Sequence, residues 1–289
     1  MSQDQIVRAM TNDGAFRCMA VRGTETINRI FAAQAGDPET HRALGGLVLG
    51  ALLYRETMAP DLRVQCIIRG AGRTGSIVAD SHPSGMTRGL YQRGKDGPFT
   101  LQGEGAILQM TRNLPRGNQH QGLIDASNAT IDRALMSYFE QSEQITTMIG
   151  VGLPISDNQQ AAVATAYLVQ LLPEVKDARD RLAVLTERLA HDFADMDAIA
   201  RQTDGDPKAI IEEIFYGMDF TFLSESPVFF GCTCSEERIQ ASLLSLHRSE
   251  LMSLIDEGEP VEMSCDYCGA EYRVEMPQLR SLLMKKGDA

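Results

Sequence analysis

The sequence predicts an α+β fold in three parts: an N-terminal mixed α/β domain built on an antiparallel-rich sheet, an α-helical linker, and a small cysteine-rich C-terminal domain. Short apolar segments separated by glycine turns indicate the sheet. The net charge of -12 lies entirely after residue 173, where a helical periodicity also begins. Four of the six cysteines follow residue 231. We therefore predict domains at residues 1–173, 174–231 and 232–289.

The N-terminal domain mixes strands and helices. Residues 16–21 alternate in the way that a strand requires. Asp37 and Pro38 indicate the start of a helix that runs through Tyr54, with glycines at points of close packing. The remaining predicted elements are strands at 64–69, 76–80, 100–102 and 106–111, a helix capped by Ser127, a strand near 145–151, and a helix near 157–172.

Amphipathic helices are predicted for the linker, residues 174–231. Apolar residues follow helical spacing from Ala178 to Met196, and the positions between them are densely charged. Asp206 and Pro207 indicate the start of a second helix. Because an amphipathic helix owes most of its stability to the surface on which it packs, we expect these helices to loosen when that surface is lost.

The composition limits the partners and the location. The chain has 27 basic and 39 acidic residues, so nucleic-acid phosphates would repel it. Its start lacks the basic and apolar regions of a signal peptide. The longest charge-free apolar run, residues 43–54, is 12 residues long and too short to cross a bilayer. We expect a cytoplasmic protein with no nucleic-acid or membrane partner.

The C-terminal cysteines form two close pairs, Cys232-Thr-Cys234 and Cys265-Asp-Tyr-Cys268, with 30 residues between the pairs. Four thiolates suit the tetrahedral coordination of a structural Zn²⁺ ion. Alternating apolar residues on both sides of the second pair indicate a hairpin with the pair at its tip, and Gly269 suits the tight turn. We predict one zinc ion per chain, bound by Cys232, Cys234, Cys265 and Cys268.

This metal would dominate the folding of the last domain. Residues 232–289 form a 58-residue piece, which is too small for a generous core. Structural zinc contributes an apparent ~10–16 kcal/mol of folding free energy in small peptides. Each cysteine pair is close enough in sequence to form its own disulfide, so an oxidant would expel zinc and unfold the domain. Cys18 and Cys66 stand apart and are predicted to be small core residues.

The four-cysteine spacing resembles that of the redox-regulated 33-kilodalton heat-shock chaperone family. Cys232-Thr-Cys-Ser-Glu-Glu-Arg238 resembles the first zinc-binding half of that family, and Cys265-Asp-Tyr-Cys-Gly-Ala-Glu-Tyr272 the second. The resemblance covers essentially the full length. It includes three upstream segments, Gly70-Ala-Gly-Arg-Thr-Gly75, Arg88-Gly-Leu-Tyr91 and Tyr138-Phe-Glu-Gln-Ser-Glu-Gln144.

The resemblance implies a holdase chaperone rather than an enzyme. It implies an inactive, zinc-bound reduced form and an oxidised form with Cys232–Cys234 and Cys265–Cys268 disulfides. Oxidation would release zinc, unfold the C-terminal domain and detach the linker. Apolar surface of the N-terminal domain would then bind unfolding client proteins, and oxidised chains would associate as homodimers.

Two other functions are compatible with paired cysteines. A thiol–disulfide oxidoreductase would use Cys265 and Cys268 in catalysis, but it requires a thioredoxin-like strand and helix around the CxxC, which the sequence does not predict. A zinc-ribbon nucleic-acid module requires a basic stripe beside the zinc site. Here the residues around the cysteines are instead acidic, namely Glu259, Glu262, Asp266, Glu271 and Glu275.

Two glycine motifs imitate nucleotide-binding loops. Residues 70–75 read GxGxxG, but a strand rather than a helix is predicted next, which indicates a hairpin turn. Residues 89–95 read GxxxxGK, but Asp96 replaces the hydroxyl residue that binds Mg²⁺ and Gly97-Pro98 blocks a helix. Neither segment is therefore predicted to bind a nucleotide.

Overall fold

The computed structural model describes residues 3–59, 61–113, 118–172 and 178–285. It has the predicted α+β fold, with antiparallel-rich sheets. The chain divides into two compact units, Met1–Gly231 and Cys232–Ala289. Residues 178–231 of the predicted linker therefore pack with the N-terminal domain. The boundary predicted at residues 173–174 lies outside the described residues.

Two sheets form the framework of the first unit. The strands in chain order are β1 (Gln5–Thr11), β2 (Phe16–Arg22), β3 (Val64–Arg69), β4 (Gly75–Ser81), β5 (Met86–Arg93), β6 (Ile107–Asn113), β7 (Gln119–Asp125), β8 (Thr147–Gly152), β9 (Thr165–Leu171), β10 (Phe220–Pro227) and β11 (Phe229–Phe230). One sheet has the order β10-β1-β2-β9-β8 and is wholly antiparallel. The other has the order β11-β5-β4-β3-β6-β7, in which β11 and β5 are parallel.

Helix α2 is the centre of the main core, because it packs against strands of both sheets. The helices of the first unit are α1 (Thr24–Ala33), α2 (Pro38–Glu56), α3 (Ile131–Tyr138), α4 (Ala178–Asp192), α5 (Met196–Thr203) and α6 (Pro207–Ile214). Asp37 caps α2 as predicted, accepting a hydrogen bond from the Thr40 N–H at 2.8 Å. The predicted close packing is confirmed at Gly50, where an added Cβ would lie 2.2 Å from Leu135 Cδ1.

The three linker helices cover the outer face of the five-stranded sheet. Strand β2 is buried on both sides: Met19 and Val21 join the main core, whereas Phe16, Cys18 and Ala20 join a second core. The second core also contains apolar side chains of α4 and α6, namely Leu185, Leu189, Ile210, Ile211 and Ile214. The linker is therefore one layer of the first unit.

The helix predicted near residues 157–172 is wrong, because Thr165–Leu171 forms the interior strand β9. This strand is buried on both faces, so its apolar residues do not alternate with polar ones. A continuous apolar run of this kind fits a buried strand as well as a helix. Residues 100–102 likewise form no strand, and the helix predicted after Ser127 begins only at Ile131.

The linker is also less helical than predicted. Residues Phe220–Pro227 form β10, which pairs with β1 along its whole length. Aromatic residues favour strands, and β1 offers an edge for pairing. Because this segment directly follows the predicted helices, the predicted helical linker includes it. The two predicted helices are therefore confirmed as α4 and α6, although α4 ends at Asp192, and α5 is a further helix that was not predicted.

The second unit is small. Its elements are helices α7 (Glu236–Ser245), α8 (Arg248–Glu257) and α9 (Met276–Lys285), with a hairpin of β12 (Val261–Ser264) and β13 (Glu271–Val274). Among its described residues, 232–285, five buried side chains form its core: Leu243, Leu251, Val274, Leu279 and Leu282. In neither unit is any described helix long and apolar enough to span a membrane.

Candidate metal centre

The second cysteine pair lies at the tip of the β12–β13 hairpin, as predicted. The backbone folds back sharply there: the Cys265 N–H donates to the Ala270 carbonyl at 2.9 Å, and the Gly269 N–H donates to the Cys265 carbonyl at 2.8 Å. Gly269 has a φ of +70°, which glycine adopts without strain. This turn brings Cys265 and Cys268 to the same side of the hairpin.

The first cysteine pair directly precedes helix α7. Ser235 is the N-cap residue and accepts a hydrogen bond from the Arg238 N–H at 3.4 Å, with two glutamates in the first turn. The N-terminus of a helix carries a partial positive charge, which favours thiolates nearby. The cap thus fixes where the helix begins and holds Cys232 and Cys234 at that end.

All four predicted ligands come together. The sulfur atoms of Cys232 and Cys265 lie 3.7 Å apart, and those of Cys234 and Cys268 lie 3.4 Å apart. The four Sγ atoms lie within 4.8 Å of one another. In a tetrahedral site with Zn–S bonds of ~2.3 Å, the sulfur atoms are separated by ~3.8 Å. The cluster therefore has the composition and dimensions to hold a metal ion.

Two of the four thiols, those of Cys265 and Cys268, are poorly suited to ionise without a cation near them. Burial is the main cause that raises the pKa of Cys268 to about 12, and the thiols of Cys234, Cys265 and Cys232 raise it further. Burial also raises the pKa of Cys265. A divalent cation reverses this effect because it stabilises each thiolate that binds it. The arrangement therefore favours a metal-bound state or a neutral one.

Tyr272 was predicted as a residue of the hairpin but not as a neighbour of the thiols, and helix α9 was not predicted. A hydrogen bond with the Cys234 thiol is the first cause that raises the pKa of Tyr272 to about 12. Helix α9 contributes Leu279 and Leu282 to the core, and the Gln278 side chain accepts a hydrogen bond from the Glu275 N–H at 2.8 Å. The spacing of the leucines and the Glu-Met-Pro-Gln start were the available signals for this helix.

Cys18 and Cys66 lie apart from the cluster, and their prediction as core residues is confirmed. Both side chains are fully buried, Cys18 in the second core and Cys66 in the main core. Burial raises the pKa of each thiol. His247, which lies between the cysteine pairs in sequence, is exposed at the start of α8.

The fold has a counterpart among solved structures. The crystal structure of a 33 kDa chaperonin (heat shock protein 33 homologue) from Thermotoga maritima matches with a TM-score of 0.87. The match covers 100% of both chains at 22% sequence identity. At this identity the likeness shows a common fold.

Curated relatives extend the likeness to sequence. The 33 kDa chaperonin of Syntrophotalea carbinolica is 28% identical over 97% of this chain and 99% of the relative. That of Shouchella clausii is 28% identical over 97% of each chain. The two-sheet domain, the four-cysteine unit and these relatives indicate a protein of the 33 kDa chaperonin class. The sequence model described as Hsp33 protein matches residues 4–275, and the chain therefore belongs to the Hsp33 family.

Proposed function

We propose that this protein is a redox-regulated holdase that binds unfolding proteins under oxidative stress. The convergence of Cys232, Cys234, Cys265 and Cys268 carries the proposal, because the fold of a small unit then depends on the chemical state of four sulfur atoms. In this proposal residues 1–173 bind clients and dimerise, residues 174–231 are the releasable linker, and residues 232–289 are the switch. The protein is cytoplasmic and has no enzymatic activity.

Zinc is the proposed occupant of the cluster in the reduced protein. Four thiolates form the closed, structural type of zinc site, with no open position for catalysis. Bound zinc would link the α7 end of the unit to the hairpin tip and stabilise the thiolates. The five buried side chains of the unit's core give little stability by themselves. Zinc binding and folding of the unit are therefore expected to be coupled.

Oxidation is the proposed trigger. Each disulfide forms from two thiolates with the loss of two electrons, and one molecule of hydrogen peroxide takes up those electrons and two protons to become two molecules of water. The proposed disulfides are Cys232–Cys234 and Cys265–Cys268. A disulfide sulfur carries no negative charge for the ion, so zinc leaves and the unit unfolds.

The surface that release would uncover lies beneath the linker helices. Val7, Phe16, Ala20, Tyr167 and Val169 form an apolar sheet face that α4 and α6 cover. Monomeric soluble proteins rarely expose large contiguous apolar patches, and those that do mark interaction sites. Exposure of this face would provide a binding surface for clients and for a second copy of the chain.

The alternatives receive less support from the site. The CxxC lies at the tip of a hairpin, whereas a thiol–disulfide oxidoreductase requires the strand and helix of a thioredoxin-like site. Glu259, Glu262, Asp266, Glu271 and Glu275 surround the cluster in sequence, and acidic residues oppose the binding of nucleic acid.

Light scattering from a thermally unfolding test protein provides the test. The reduced, zinc-loaded chain is compared with the same chain after peroxide treatment and mild heating. We expect strong suppression of aggregation by the oxidised form and weak suppression by the reduced form. Treatment of the oxidised chain with a thiol reductant and zinc should restore the reduced form, which suppresses aggregation weakly. Equal suppression by both forms would contradict the redox switch.

A further inference from the structure

A single carboxylate connects linker helix α5 to two other elements of the first unit. One oxygen of Asp197 accepts a hydrogen bond from the Leu153 N–H at 2.7 Å, and the other accepts from the Arg42 guanidinium at 3.0 Å. Leu153 directly follows β8 and is fully buried, whereas Arg42 lies on α2 and is half exposed. Asp197 therefore supplies the acceptor for a buried backbone N–H.

The start of α5 is seated directly on the backbone of β8. A Cβ added at Gly152 would lie 2.3 Å from the Met196 carbonyl oxygen and 2.9 Å from Ala200 Cβ. A Cβ added at Gly150 would lie 3.1 Å from Met196 Cγ. This close approach brings the Asp197 side chain within reach of the Leu153 N–H.

A second carboxylate holds the other end of α5. Asp204 is the C-cap residue, with a φ of +50°, and its carboxylate lies 3.2 Å from the Arg22 guanidinium. The Arg22 side chain lies on β2 and is only 9% exposed. The start of α5 is thus attached by the Asp197 hydrogen bond, and its end by an ion pair with Arg22 on β2.

Helix α4 is held differently. Its buried contacts with the sheet are apolar, through Leu185 and Leu189, and its Arg181–Asp13 pair lies at the surface. A cavity of about 630 Å³ lies among α3, α4, α5 and β8, and Met136, Met148 and Met196 are among the residues that line it. Apolar contacts beside a cavity fix position weakly, because dispersion contacts are lost wherever atoms do not meet. Among the elements of the linker, α5 therefore supplies the hydrogen bond to a buried backbone N–H, whereas α6 contributes apolar packing and β10 contributes strand pairing.

We propose that Asp197 is the latch that holds the linker helices on the sheet, acting as a positioning residue. In a variant that lacks the Asp197 carboxylate, the Leu153 N–H has no hydrogen-bond acceptor while α5 is docked. The free energy of the docked state relative to the released state then becomes less favourable. The inference rests on the proposed function at one point, namely that the face uncovered by linker release binds clients. Docking itself is measurable without a client.

The experiment uses the reduced, zinc-loaded full chain and a maleimide that labels free thiols. Cys18 lies under the linker and reports its release, whereas Cys66 lies in the main core and reports unfolding of the whole unit. Asp197→Ala should speed Cys18 labelling about tenfold or more, the factor that corresponds to ~1.4 kcal/mol of lost docking free energy. Cys66 should stay protected and zinc should stay bound.

Two further variants separate the latch from general helix stability. Asp197→Asn keeps an oxygen acceptor for the Leu153 N–H and loses only the exposed charge pair with Arg42, so it should label at nearly the wild-type rate. Asp195→Ala removes the N-cap that accepts from the Ala198 N–H within α5 itself. It should speed Cys18 labelling clearly less than Asp197→Ala does.

The outcomes distinguish the latch from the proposed function. Wild-type labelling of Cys18 in Asp197→Ala, or equal acceleration by Asp195→Ala, overturns the latch. Faster labelling of Cys18 with zinc retained supports it whether or not the variant suppresses aggregation. If that variant exposes Cys18 but does not suppress aggregation, the latch stands and the proposed client-binding face is contradicted.

Discussion

The sulfur atom of Cys234 lies 3.4 Å from that of Cys268, although the two residues are 34 positions apart in the sequence. Cys232 and Cys265 are a similar neighbouring pair, with 3.7 Å between their sulfur atoms. Both contacts join the start of α7 to the tip of the hairpin. Disulfides formed across the cluster would keep that junction, whereas Cys232–Cys234 and Cys265–Cys268 disulfides would sever it. The choice of pairing therefore decides whether oxidation unfolds the unit.

Disulfide mapping tests this choice. After peroxide treatment and mild heating, the chain is blocked and digested with trypsin, which cleaves at Arg238 and Arg248 between the cysteine pairs. We expect both disulfides to lie within their own pair, so that no disulfide joins peptides from the two halves. A Cys234–Cys268 peptide pair in the mass spectrum would contradict the proposed trigger.

Removal of the proposed zinc ion from the reduced protein should unfold the second unit. Its core has five buried side chains, and structural zinc contributes an apparent ~10–16 kcal/mol in comparable small domains. Hydrogen exchange should show loss of protection in α7–α9 and the hairpin after chelation, while α2 in the first unit stays protected. Retained protection around Val274 and Leu279 would show that the unit folds without metal.

The glycines of α2 provide a matched pair for the packing of the main core. A Cβ at Gly50 would overlap Leu135 Cδ1 at 2.2 Å, whereas one at Gly46 would lie at an ordinary 3.4 Å from Ile131 Cγ2. Gly50→Ala should therefore lower the free energy of unfolding by ~1–3 kcal/mol. Gly46→Ala should raise it by up to ~1 kcal/mol, because alanine favours helix more than glycine does. Chemical denaturation measures both, and equal effects would contradict the packing argument.

The convergence of the four cysteines was predictable because its determinants are local. The CxC and CxxC spacings, the Ser235 cap and the Gly269 turn each act within a few residues, and the metal chemistry requires only that the two halves meet. The helix α6 was predictable for the same reason, since Asp206 and Pro207 define its start.

Pairing between distant segments carries no comparable local signal. Strand β9 is buried on both faces, so its sequence lacks the alternation that identifies a half-buried strand. Strand β10 pairs with β1 across more than 200 positions, and the sequence around Phe222 does not specify that partner. The role of Asp197 depends on the Leu153 N–H, which only the folded chain brings near it.

Oxidation should change the reactivity of Cys18 and leave that of Cys66 unchanged. Both thiols are fully buried in the structure, and burial raises the pKa of each. When the linker leaves, the pKa of Cys18 should fall toward the ordinary thiol value, so that more thiolate is present to react. Maleimide labelling of the oxidised chain, read by mass spectrometry, should find Cys18 modified and Cys66 unmodified. Modification of both thiols would indicate that the first unit has unfolded. Protection of both would show that the linker stays docked after the second unit has lost its proposed metal ion.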